Sequence, residues 1–128
     1  MVGFVLVSHS GRLAEGAREL GLMMAPDVPV FAAGGMEDGG PGTDYGKICS
    51  AVTDALEAAP EGVIVIADMG SSFMTAEMVI EDLGDSRVVI ADCPFAEGTV
   101  ASVVAAAGGA SLSEALQAAE EMRGTTKR

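Results

Sequence analysis

Val63-Ile64-Val65-Ile66-Ala67, followed by Asp68, reads as a strand with no polar face. Its first four residues are all β-branched, and continuous runs of that kind belong to parallel sheets covered by helices on both sides. Three further runs of the same type lie outward from it: Gly3-Phe4-Val5-Leu6-Val7, Val28-Pro29-Val30-Phe31-Ala32 and Arg87-Val88-Val89-Ile90-Ala91. Pro29 restricts its run to a sheet edge or a strand start. Helical patterns alternate with the strands, at about 11–25, 44–59, 72–83, 97–107 and 112–122. In the first, Leu13, Ala17, Leu20 and Met24 recur at spacings of three and four and predict the buried face; in the second, Ile48, Val52 and Leu56 do so. Gly84 ends the third, Gly108-Gly109 breaks the fourth, and Ser111 with Glu114 forms a capping box for the last.

Strict β/α alternation implies an α/β fold: a three-layer open parallel sheet with helices on both faces, and right-handed crossovers make 2-1-3-4 the expected strand order. Residues 1–122 read as one domain and 123–128 as a frayed tail. In that order the first and third strands are neighbours whose connections leave to opposite faces. The crevice at their carboxyl ends is the switch point where such sheets bind ligands.

The chain's only histidine, His9, stands at that crevice, where the first strand runs into Ser8-His9-Ser10-Gly11. The third strand delivers Asp68 to the same place. A carboxylate beside an imidazole holds one ring N–H, fixes the tautomer and aims the other nitrogen outward as a nucleophile. Gly70-Ser71-Ser72 opens the next helix, whose free N–H groups and positive dipole end suit an oxyanion; Ser10 and Gly11 offer the same from the other side. The bland alternatives are a surface histidine in a loop, serines that only cap helices, and a plain linker at Gly34–Gly42. A Ser–His–Asp hydrolase is disfavoured because no G-x-S-x-G elbow exposes a serine. Neither a P-loop nor a strand-borne G-x-G-x-x-G is present. A lone histidine is a poor metal set, so neither metal nor cofactor is expected.

The 128 residues are 49% hydrophobic and carry a net charge of −12, which argues against a nucleic-acid partner and against tight binding of a free anionic nucleotide. No apolar run reaches the roughly 20 residues of a membrane span, and the first residues lack a basic leader region. A cytoplasmic protein with two buried, unbridged cysteines, Cys49 and Cys93, is expected. The eight methionines fall mostly in helical patterns and read as core filler.

Several segments together resemble the mannose-type EIIA family of the phosphoenolpyruvate-dependent phosphotransferase system. They are Val7-Ser8-His9-Ser10 with Leu13-Ala14-Glu15-Gly16, then Ala32-Ala33-Gly34, Gly42-Thr43-Asp44, Asp68-Met69-Gly70-Ser71 and Pro94-Phe95-Ala96-Glu97-Gly98-Thr99. Within the family they are most similar to the phosphocarrier subunits of dihydroxyacetone kinases. The resemblance implies that His9 is phosphorylated through Nε2 and that Asp68 orients the ring through Nδ1. It implies HPr as donor, ADP on DhaL as acceptor, DhaK in the same system, and a homodimer. Gly34, Gly35, Gly70, Pro94 and Phe95 then offer a shallow rim of small residues for a partner protein. Two alternatives stay open: an EIIA component of a sugar permease handing phosphate to a IIB subunit, and a binding or regulatory module in which His9 has no chemical role.

Overall fold

The computed structural model describes residues 1–128. Its elements follow the alternation: β1 (Gly3–Ser8), α1 (Gly11–Met24), β2 (Val30–Gly34), α2 (Tyr45–Ala58), β3 (Val63–Ala67), α3 (Gly70–Leu83), β4 (Val88–Ala91), α4 (Phe95–Ala107) and α5 (Leu112–Glu120). The sheet order is β2-β1-β3-β4, all parallel, as the alternation requires. Pro29 stands just before β2, an edge strand, and its carbonyl accepts from Phe4 N–H at 2.9 Å. The α3 and α4 helices start two residues earlier than their periodicity suggests. Past α5 a 3₁₀ turn continues over Glu121–Gly124. There Arg123 pairs with Asp92 at 3.1 Å, and Lys127 beyond it meets Glu97 at 3.2 Å, both on the surface.

Alternation along the central strands divides the core in two. Phe4, Leu6, Ile64 and Ile66 face one side, against Ala17, Val103, Ala106, Ala115 and Ala119. Val5, Val7, Val63 and Val65 face the other, against Ile48, Val52, Ala55, Ala76 and Val79. The side with larger strand residues is covered by α1, α4 and α5, whose buried positions are mostly Ala, Gly and Val.

Three expectations are corrected. The buried face of α1 is Ala14, Ala17 and Gly21, whereas Leu13, Leu20 and Met24 are 47%, 40% and 62% exposed. Small residues win because α1 runs close to β2 and α4, where a Leu side chain has no room. None of the eight methionines is buried, and Met23, Met69, Met74 and Met78 are more than half exposed. Cys49 and Cys93 are unbridged and half-buried, not fully buried. Burial, then Glu120 and Asp92, pushes the Cys93 thiol up to about 11.

At Gly34 the turn into α1 and the helix itself pack tightly against β2. A Cβ there would lie 2.6 Å from Ser10 O and 2.8 Å from both Ala14 Cβ and Gly11 Cα. Gly34→Ala is expected to cost about 1–3 kcal/mol by overpacking. Gly16→Ala, in α1 with nothing within 4 Å of the added carbon, should stabilise by about 0.5–1 kcal/mol. Urea unfolding of the two variants checks both signs.

Candidate functional site

Parallel pairing of β1 with β3 sets Val7 beside Ala67, so the next residues of each strand leave the sheet side by side. The Asp68 N–H continues the ladder to Val7 O at 3.0 Å. From this point α1 crosses to one face of the sheet and α3 to the other, which opens the crevice that the topology predicts.

Asp68 is the fixed element. Its side chain is 6% exposed, while that of His9 is 32% exposed. Asp68 Oδ2 accepts from Ser8 Oγ at 2.9 Å and from the His9 backbone N–H at 3.1 Å. Oδ1 accepts from Met69 N–H at 2.7 Å and lies 3.1 Å from His9 Nδ1. Burial alone would raise this carboxyl. The His9 N–H, the Ser8 hydroxyl, the imidazole and Ser72 outweigh burial and hold it below its ordinary value. Ser8, 1% exposed, also accepts from Ser10 N–H at 3.0 Å, which fixes the turn after β1.

An ionised carboxylate is acceptor-only, so the Nδ1 facing it carries the proton. That leaves the Nε2 lone pair outward, where Ser71 Oγ lies at 2.7 Å as its donor. Ser72 Oγ lies 3.0 Å from Nδ1 and shares that side of the ring with Asp68. Thr43 closes the arrangement, its Oγ1 standing 3.2 Å from Ser71 Oγ and 3.4 Å from Ser72 Oγ.

Ser71 and Ser72 belong to the first turn of α3, which has no acidic residue and no side-chain cap. Gly70 takes φ +43° there, a conformation that favours glycine. The helix therefore presents an uncapped positive end beside the imidazole. The α1 side is arranged differently. Ser10 caps its own helix, its Oγ accepting from Leu13 N–H at 3.2 Å, and its N–H is taken by Ser8. Neither Ser10 nor Gly11 hydrogen-bonds the ring. They line, with Arg12, Gly39, Gly40 and Pro41, an adjoining open cleft of about 490 Å³.

Of the expected rim residues, Gly70 is exposed, but Gly35 is buried with φ +73° and Gly34 is a packing glycine. Pro94 precedes α4, and Phe95 packs on the α1/α4 core. Three residues of the glycine-rich loop and its flank escaped the sequence reading of the site. Gly42 N–H donates to His9 O at 2.8 Å; Thr43 holds both serines; and Lys47 Nζ donates to Gly34 O at 3.1 Å and Met36 O at 3.3 Å, pinning the loop. Gly42 and Thr43 lie in a segment that carries the family resemblance, and Lys47 lies in the first turn of α2, but neither fact predicts these contacts. No three His, Cys, Asp or Glu side chains gather as a metal set. None of the surface clefts is lined by His9 or Asp68; the largest, about 600 Å³, lies along β2 and α2. The imidazole is partly open to solvent at the carboxyl end of the sheet.

Because the folded Asp68 carboxyl is depressed, the stability it contributes is present above its unfolded value of roughly 3.9 and is lost as pH falls through the folded value. Asp68→Asn should cost about 1–3 kcal/mol at neutral pH. The gap from wild type should close in acid, as denaturant melts at stepped pH would record.

The family model described as "PTS system fructose IIA component", EIIA-man, matches residues 3–119. The phosphoryl donor subunit DhaM of the phosphoenolpyruvate-dependent dihydroxyacetone kinase of Escherichia coli K12 is 36% identical over 123 residues, which is 91% of this chain and 26% of that protein. A DhaM of Listeria innocua is 34% identical over 100 residues, 78% of this chain and 77% of the relative. The chain thus spans about a quarter of the length of the Escherichia coli relative. The crystal structure of EF1359, a protein of unknown function, superposes with a TM-score of 0.84 at 26% identity, over 99% of this chain and 98% of that one. A sigma-54 interaction domain protein from Enterococcus faecalis shares the fold, with a TM-score of 0.73 at 18% identity over 94% of this chain and 88% of that one. The chain belongs to the EIIA-man family of phosphotransferase-system IIA components.

Proposed function

We propose that this chain is the phosphohistidine carrier of a dihydroxyacetone kinase system, as in the DhaM relatives. It takes a phosphoryl group from HPr on His9 and passes it to ADP bound on DhaL; the ATP formed serves DhaK. The observation that carries this reading is the His9 ring, with Nδ1 held by Asp68 and Nε2 directed outward.

In the first step the Nε2 lone pair attacks phosphorus while the donor's N–P bond breaks, its electron pair staying on the donor nitrogen. The imidazole becomes cationic, and the Asp68 carboxylate beside Nδ1–H stabilises that charge. Ser71 turns from Nε2 to a phosphoryl oxygen, since its hydroxyl sits where phosphorus must approach. Ser72 and the N–H groups opening α3 at Gly70 neutralise the remaining negative charge. In the second step a terminal oxygen of ADP attacks, the Nε2–P bond breaks, and its electron pair returns to Nε2. The protein supplies in-line positioning and charge balance, and the weak N–P bond supplies the reactivity. Ser10 and Gly11 act here by shaping the turn that presents the ring. Gly34 and Gly35 set the loop behind it, and Pro94 and Phe95 border the carboxyl end of the sheet. The carrier is cytoplasmic and works as a homodimer, the exposed Val104 of α4 giving apolar surface to cover.

Incubation with enzyme I, HPr and phosphoenolpyruvate should place an acid-labile phosphate on His9, read by mass spectrometry, and His9→Gln should abolish it. Label on the mutant would overturn the reading. Asp68→Asn should slow transfer by on the order of 10²-fold or more, and Ser71→Ala by roughly 10- to 100-fold. Release of label to DhaL–ADP, and not to a IIB protein, separates this reading from a sugar-permease component. Calorimetry of the chain alone should give no saturable ADP binding below ~1 mM; tight binding would contradict a carrier role.

A further inference from the structure

The exposed residues of α3 form a continuous stripe that begins at the reacting nitrogen. Ser71, whose hydroxyl touches Nε2, is followed on the same helix face by Met74, Met78 and Asp82, at spacings of three, four and four. Met74 and Met78 are 66% and 56% exposed, and Met69, just before the helix, is 65% exposed. The stripe runs roughly 16 Å from Ser71 to Asp82. It ends where Tyr45 of α2 donates to Asp82 at 2.6 Å. Glu77 and Glu81 flank it without an ion-pair partner, and α3 has no basic residue.

We propose that this stripe is the docking face for the phosphoryl-donating carrier protein, and that the surface meeting it beside the donor's phosphorylated residue is apolar with a basic rim. The proposal rests on the phosphocarrier reading of His9 and adds the surface that serves it. Any donor must bring phosphorus in line with Nε2, so its surface must cover what borders Ser71. Exposed methionines leave a flexible apolar contact that adapts to a partner. Unpaired Glu77 and Glu81 then favour a basic rim and steer its approach. An acceptor carrying a nucleotide brings several negative charges, which the same carboxylates oppose. The other apolar groove, lined by Leu20, Val100, Ala101 and Met122, lies over α1 and α4 on the opposite face of the sheet.

The test compares phosphorylation by phospho-HPr with phosphorylation by phosphoramidate, a small donor that needs no docking. The variants are Met74→Gln with Met78→Gln, Glu77→Lys with Glu81→Lys, and Met23→Gln with Met24→Gln on α1 as control. Both α3 pairs should raise the KM for phospho-HPr about tenfold or more, with the phosphoramidate rate unchanged in each. The wild-type rate should fall as salt rises, and the charge-reversed pair should lose that fall. The α1 control should match wild type. An unchanged phospho-HPr KM in both α3 pairs, or a defect confined to transfer from His9 to the acceptor, would overturn the docking proposal alone. Failure of both phospho-HPr and phosphoramidate to label His9 in wild type would overturn the carrier reading beneath it.

Discussion

The contact on which the site depends is the 3.1 Å approach of Asp68 Oδ1 to His9 Nδ1 across the first and third strands. A histidine alone is ambiguous, because either ring nitrogen can carry the proton. A buried, ionised carboxylate on one side removes that freedom, so the remaining lone pair faces the open rim. Asp68 can do this only because the Ser8 hydroxyl and the backbone N–H groups of His9 and Met69 compensate its burial. Those donors are products of the strand pairing, which makes the tautomer a consequence of the fold.

The rest of the molecule keeps that contact in register. The two central strands are buried on both faces, so a slip of one residue would drive Phe4 and Leu6 into the side built around Val5 and Val7 and mismatch both cores. Gly34 lets the first helix close against the edge strand, which sets the turn carrying His9. The glycine-rich loop is bound to this turn through Gly42 and to the second helix through Lys47. The loop places Thr43 against the serine pair, so a segment without regular structure still positions groups at the ring.

The sheet order and the partners His9, Asp68, Ser71 and Ser72 were legible because they sit at strand ends and a helix start, positions that hydrophobic pattern and turn chemistry locate. Thr43 lies in a segment that carries the family resemblance, but its contacts and those of Lys47 were not legible: how a glycine-rich loop packs depends on backbone angles that leave no periodic trace. The buried face of the first helix was misread for another reason. Ala14, Ala17 and Gly21 carry a weaker apolar signal than Leu13 and Leu20, yet only small residues permit the close approach that the neighbouring strand and helix demand. Methionine was misread because helical spacing does not distinguish a core thioether from an exposed one. Here Met74 and Met78 follow Ser71 out along the helix surface, exposed to solvent.

The most direct measurement of the ring's state is long-range ¹H–¹⁵N correlation NMR on protein labelled at its single histidine. When the ring is neutral its proton should lie on Nδ1, and phosphorylation should bring phosphorus coupling at Nε2. A neutral ring protonated at Nε2, or phosphorus attached to Nδ1, would contradict this assignment.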